Sequence, residues 1–268
     1  NFLAHNKNLA HEFCFLRIRS AAILKFSYHD LMIMGDENQG GEDIVCLESL
    51  FLNNDYELTS FSFGSHVLKL HCLHSASTDF DLTGQLVWPG GLLMNDYLCK
   101  NADTLRNFSV IELGAGVGIS GLLCSKFCRK VVLTDHNDEV LKILNMNIDL
   151  QMSSGIPNRC ELSAEKLEWG NSEDIFKILQ KHPEGFDLII GADICFQQSS
   201  IAFLIETVSS LIALNGSKCK FILAYISRSK NMDKLLLQEA KCRGLSIQEV
   251  PGTRSVVGNQ EGVIFALK

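Results

Sequence analysis

The chain has no Cys-x-x-Cys pair, no internal repeat, no low-complexity tract and no apolar run approaching the ~18 residues of a membrane-spanning helix. It also lacks an excess of positive charge: 24 Lys and Arg stand against 31 Asp and Glu, a formal net charge of −7. Each absence narrows the reading. An acidic balance argues against nucleic acid as a partner and fits a basic protein or a small molecule. No membrane association is expected. Ten cysteines are present, but Cys124 and Cys128, four apart, have no second ligand pair nearby, so no metal site is expected. The cysteines sit mostly inside apolar runs, the usage of buried thiols in a reducing compartment, which predicts a cytoplasmic location, with the nucleus as the alternative. A hydrophobic share of 46% with 21% charged residues is that of a globular protein, and 268 residues suffice for one large α/β domain with an N-terminal addition. A monomer is expected.

What the chain does have is one commanding stretch, Ser109 to Leu122. There an apolar β-branched run (Val110, Ile111, Leu113) breaks on Gly114, Gly116 and Gly118 and feeds a helical segment, Ile119 to Phe127. A buried strand that turns on glycines into a helix brings bare backbone and a helix N-terminus up to a ligand. Three glycines in so short a turn lose more chain entropy than a plain turn requires, which favours a binding role.

The flanks organise around this stretch. Residues 1–33 begin at Asn1, mix Arg17, Arg19 and Lys25 with apolar residues and show no signal-peptide order. Met34 opens an acidic stretch to Asp43 with the composition of a solvated terminus. The expectation is that residues 1–43 are disordered or non-native, that the functional protein starts near Met34, and that the folded domain covers 44–268. Glu57 to Phe63 and His66 to Leu73 flank Gly64-Ser65 as a β-hairpin would. From Phe108 onward strands at 108–113, 131–134, 159–163, 186–192, 219–226 and 262–267 alternate with helices near 118–128, 137–150, 172–181, 199–213 and 231–243, after a first helix near 91–100. Such alternation predicts an α/β fold, a doubly wound, mostly parallel seven-stranded sheet of Rossmann-like form, with an antiparallel last strand and the hairpin as an N-terminal extension.

Two cofactor classes compete for the glycines. Gly116-Val-Gly118-Ile-Ser-Gly121 satisfies G-x-G-x-x-G, and Asp135 follows Gly116 by 19 residues at the end of the next strand, as in a dinucleotide site. The first glycine of such a site belongs at the strand end. That position is Gly114, and the pattern counted from it lands on Ile119. Glu112, two residues before the glycines, would repel a pyrophosphate and suits a ligand with a cationic end, such as the ammonium and sulfonium of S-adenosylmethionine. Asp135 can take both ribose hydroxyls of either cofactor. Glu112 tips the choice towards the methyl donor.

At these residues the chain resembles the class I, seven-β-strand S-adenosylmethionine-dependent methyltransferases, and more narrowly the methyltransferase family 16 group that contains protein-lysine methyltransferases. The resemblance covers about 57–267. It rests on ordered motifs: Phe61-Ser62-Phe63 with His66; Val87-Trp88; Glu112-Leu-Gly-Ala-Gly-Val-Gly; Thr134-Asp135; Leu167-Glu168-Trp169-Gly170; and Phe186 to Phe196, containing Ala192-Asp193. It implies that Trp88 closes over the cofactor, that Gly114, Ala115 and Gly116 pass under its methionine part, and that Asp135 holds its ribose. Trp169 would flank the adenine and Ala192 would lie along the cofactor by its backbone. Asp193 opens the family's Asp-x-x-Tyr signature, whose fourth position here is Phe196. Trp88-Pro89-Gly90-Gly91 also departs from the expected Trp-Asp-Ala-Ala. Asn147 matches a recurrent helix Asn, and Arg228 falls where the family often has Arg, although a plain surface ion pair is an equal reading.

The activity so implied is S-adenosylmethionine-dependent methyl transfer, to a protein lysine first, with Asp193 orienting the incoming ammonium or amine and Phe196 supplying an aromatic, cation–π wall. A protein histidine or a small amine as acceptor, or a catalytically silent cofactor-binding partner, are the alternatives that the residues leave open.

Overall fold

The glycine-broken strand lies at the centre of a sheet. In the computed structural model, which describes residues 56–73, 80–153, 160–215, 219–257 and 259–268, the strands are β1 (Glu57–Phe63), β2 (His66–Cys72), β3 (Ser109–Leu113), β4 (Lys130–Asp135), β5 (Glu161–Lys166), β6 (Leu188–Ala192), β7 (Lys220–Ile226), β8 (Ile247–Glu249), β9 (Ser255–Val257) and β10 (Gln260–Leu267). The helices are α1 (Pro89–Lys100), α2 (Ile119–Cys124), α3 (Asp138–Met152), α4 (Ser172–Lys181), α5 (Gln198–Asn215) and α6 (Lys230–Cys242). The 1–43 segment and the start near Met34 lie outside the described residues.

The main sheet runs β5-β4-β3-β6-β7-β10-β8, with β9 pairing only to β10. Strands β3 to β7 are mutually parallel, and β10 enters antiparallel to β7, with Phe265 opposite Leu223. All five residues of β3 are buried, as a strand covered on both faces requires. Successive side chains divide between two cores: Val110, Ile190 and Ile222 join α1, α2, α3 and the hairpin, whereas Ile111, Ile189 and Leu223 join α4, α5 and α6. The chain leaves β3 towards β4 and β5, then crosses back to β6 on β3's other side. That reversal opens a crevice beyond the carboxyl ends of β3 and β6, where ligands of such sheets bind.

The antiparallel hairpin β1–β2 pairs Phe63 with His66 across Gly64-Ser65, and Leu68, Leu70 and Cys72 alternate inwards. Three details differ from expectation. The edge strand β5 starts at Glu161, not 159, and its polar sequence Glu-Leu-Ser-Ala-Glu-Lys carries little apolar signal. β8 and β9, three residues each, are too short for periodicity to register, and both complete the sheet beside β10. A 3-10 segment, Phe80–Gln85, precedes Trp88, where no element was expected. Among the described residues no helix is long and apolar enough to cross a membrane.

Candidate active site

The crevice holds a cavity of about 500 Å³, lined by the turn after β3, the ends of β4 and β6, the loops after β5 and β7, and the 3-10 segment. Every residue named above as cofactor-binding or catalytic borders it: Trp88, Glu112, Gly114, Ala115, Gly116, Asp135, Trp169, Ala192, Asp193 and Phe196. They divide by strand. The ends of β3, β4 and β5 supply Glu112, the glycines, Asp135 and Trp169; the ends of β6 and β7 supply Asp193, Phe196 and Arg228.

On the first side the backbone is drawn tight. Gly114, Gly116 and Gly118 take φ of +60°, +55° and +86°. At Gly116 an added Cβ would lie 2.6 Å from the Gly84 carbonyl oxygen, so the close approach as well as the left-handed backbone demands glycine. The Gly116 N–H donates to Asp135 Oδ2 at 3.1 Å, and Asp135 Oδ1 accepts from the Asn137 N–H at 3.2 Å. Asp135 therefore fastens the glycine turn to the start of α3, whose N-cap is Asn137.

Glu112 is 2% exposed, and its Oε2 accepts the Gly121 N–H at 2.8 Å, an orphan donor of the first turn of α2. Burial pushes its carboxyl up to about 8, against the pull of the Gly121 N–H and with the nearby Asp135 charge adding to the rise. The strand end is thus not the free anion imagined from the sequence. It is a buried acid whose surroundings favour the protonated form.

On the second side Asp193 sits at φ +60°, directly after β6. Both its carboxylate oxygens are engaged. Oδ2 accepts the Gly90 N–H at 3.1 Å, in the first turn of α1, and Oδ1 meets Arg228 Nη2 at 2.7 Å. Burial raises the Asp193 carboxyl, and the Arg228 guanidinium and the Gly90 N–H pull it down. The departure at Trp88-Pro89-Gly90-Gly91 finds its reason here. A Cβ on Gly90 would lie 2.6 Å from Asp193 Cβ, so α1 abuts the Asp193 backbone only with glycine at that position. Pro89 opens α1, where its missing N–H costs nothing.

Aromatic faces form the walls. Trp88, 36% exposed, donates its indole N–H to the Thr83 carbonyl at 2.8 Å, and the Arg228 guanidinium stands over its ring, 5.8 Å from the centroid. Phe196 is 40% exposed and Phe203 53%. Phe203, on α5, was not singled out in the sequence, because one more phenylalanine in an apolar helix carries no positional signal. Thr83, Gly84, Gln197 and Ser200 also line the cavity and were equally invisible. Arg228 proves to be a half-buried member of this site and not a surface ion pair.

With this geometry in place, comparison with known proteins is informative. The model of the lysine methyltransferase family matches residues 70–242, and the chain belongs to that family. It is 28% identical over 161 residues to the mouse protein N-lysine methyltransferase METTL21A, covering 59% of this chain and 67% of that one. It is 27% identical over 186 residues to the protein-lysine N-methyltransferase EFM3 of Chaetomium thermophilum, covering 68% of this chain and only 53% of the relative. Among solved structures, the 16S rRNA N2 G1207 methyltransferase RsmC of T. thermophilus shares the fold at TM-score 0.51 and 18% identity, over 80% of this chain and 50% of that one.

Proposed function

We propose that this chain is an S-adenosylmethionine-dependent methyltransferase whose acceptor is a lysine amine on a protein, working as a monomer in the cytoplasm or nucleus. The observation that carries the reading is the two-sided cavity, in a member of the lysine methyltransferase family: a glycine cradle with two acids on one side, and an aromatic mouth with Asp193 on the other. The cavity suits the cofactor on its own terms. The backbone at Gly116 leaves no room for a side chain, Asp135 stands at the strand end where a ribose diol is held, and Glu112 is an acid that a ligand cation would ionise. S-adenosylmethionine, when bound, supplies an electrophilic methyl group.

The chain's own residues position and desolvate. Trp88 and Trp169 offer flat apolar faces for the cofactor, and Glu112 and Asp135 hold its polar ends. Phe196 and Phe203 wall the approach of the acceptor, excluding water from the line of attack. A lysine amine must arrive without its proton. From a reference pKa near 10.4, neutrality at pH 7 costs roughly 4.6 kcal/mol, which an apolar, cation-bearing pocket reduces. The net charge of −7 supports a Lys-bearing protein surface over a phosphate backbone as the partner.

The test is direct. Purified protein, tritiated methyl donor and a cell lysate are incubated, and labelled protein is hydrolysed to amino acids. Label recovered as methyl-lysine is the expected result. Label on histidine or on a small amine would replace the acceptor, and cofactor binding without any label would make the protein a silent partner.

A further inference from the structure

Among the described residues Asp193 is the one carboxylate at the β6–β7 side of the cavity, and it is not available to an incoming ammonium. Gly90 and Arg228 occupy its two oxygens, at 3.1 and 2.7 Å. Arg228 is itself held by that contact and by the Trp88 face, so its charge is fixed at the mouth. A free carboxylate there would bind a protonated lysine, and a protonated lysine has no lone pair with which to attack. Resting on the methyltransferase reading, we propose that Arg228 masks Asp193 and thereby selects the uncharged form of the acceptor amine. Arg228 acts as a positioning and specificity residue, through Asp193, and takes no part in bond making.

The neighbouring ionisable groups leave this role to Arg228. Cys195, from the same loop as Asp193, is pushed up to about 12 by burial. Tyr225, on β7, is raised by burial and by its 2.6 Å hydrogen bond to Asp233 of α6, so neither titrates near neutrality. Glu112, Asp135, His136 and Glu168 line the opposite, β3–β5 side of the cavity. Whatever they contribute to a pH profile is common to the wild type and an Arg228 variant, and cancels in the comparison.

Removal of the guanidinium uncovers Asp193 and stabilises the protonated amine, so its apparent pKa rises. In the wild type the rate of methyl transfer climbs with pH as the amine loses its proton. In Arg228→Gln that ascending limb should move about one unit to higher pH, with transfer about tenfold slower at pH 7 and the deficit narrowing as the pH rises. Arg228→Lys, which keeps a cation beside Asp193, should restore most of the limb's position.

The experiment measures methyl-lysine formed on total lysate protein, with saturating tritiated donor, from pH 6.5 to 10, for wild type and both variants. Binding of S-adenosylhomocysteine by calorimetry and thermal melts accompany it. A slowing equal at every pH, or an unmoved limb in Arg228→Gln, overturns the masking role while leaving the methyltransferase reading intact. No methyl-lysine from the wild type at any pH overturns both.

Discussion

Asn147 of α3 holds both backbone groups of His71 in β2: its Oδ1 accepts the His71 N–H at 2.6 Å, and its Nδ2 donates to the His71 carbonyl at 3.0 Å. The same Nδ2 donates to the Val117 carbonyl at 3.0 Å, inside the glycine turn. One fully buried side chain thus couples the N-terminal hairpin to the cofactor side of the cavity. Asn147→Ala leaves these backbone groups without their partner, which should cost roughly 3 kcal/mol in urea unfolding. Because Val117 is released as well, affinity for S-adenosylhomocysteine should fall with it. A variant of unchanged stability would show that the hairpin does not depend on the clamp.

The Gly116 position can be probed with the smallest possible change. Gly116→Ala places a Cβ in a left-handed backbone, at a cost of about 1–2 kcal/mol, and within 2.6 Å of the Gly84 carbonyl oxygen. The turn must widen, and the Gly116 N–H then pulls away from Asp135. Calorimetry should record at least a tenfold loss of S-adenosylhomocysteine affinity, with a smaller effect on the melting temperature. Wild-type affinity in this variant would mean that the cavity floor is more pliable than its geometry implies.

Asp193 separates structure from chemistry. Asp193→Ala removes the acceptor for Gly90 and leaves the Arg228 guanidinium half-buried without its counter-charge, a loss of roughly 3 kcal/mol. Asp193→Asn retains an oxygen for the Gly90 N–H and should cost about 1 kcal/mol. Both variants should still bind S-adenosylhomocysteine, since the β3–β5 side is untouched; Asp193→Asn, which has no carboxylate to mask, should keep most methyl transfer at neutral pH, whereas Asp193→Ala should lose it with the seating of α1. Loss of transfer in an Asp193→Asn protein of near wild-type stability would make the charge of Asp193 itself part of the reaction.

Much of this arrangement was legible in the sequence, and the reasons are physical. β3, β4 and β7 are buried on both faces and read as short apolar runs (Val110-Ile111, Val131 to Leu133, Phe221 to Ile226), and the glycine breaks punctuate them. The glycine turn and Asp135 were legible because they fall at strand ends where the apolar runs break. Asp193, Phe196 and Arg228 were named through the resemblance, but their partnerships were not legible, because those contacts are long-range. Asp193 meets Gly90 from 103 residues away and Arg228 from 35, and no local pattern encodes either partnership. Phe203 and Thr83 enter the cavity only through the packing of α5 and the 3-10 segment. The charge state of Glu112 was hidden for the same reason: a strand-end glutamate reads as an anion, and only its burial, which outweighs the pull of the Gly121 N–H, pushes it up to about 8.

That acid gives the protein a pH signature. Folded, Glu112 holds its proton up to about pH 8; unfolded, it releases it near the ordinary carboxylate value of 4.5. Between these values the unfolded chain binds fewer protons, so Glu112 makes stability fall as pH rises, and its slope vanishes above about 8. Glu112→Gln keeps an acceptor for the Gly121 N–H and cannot titrate. Its urea-unfolding stability should therefore lose this decline between pH 5 and 8. A cationic ligand reverses the preference by favouring the ionised carboxylate. Binding of S-adenosylmethionine to the wild type should then tighten from pH 6 to 8 and release a proton, seen as a buffer-dependent enthalpy in calorimetry. The Gln variant should bind more weakly, without that proton release. Equal buffer dependence in the two proteins would place the titrating group elsewhere.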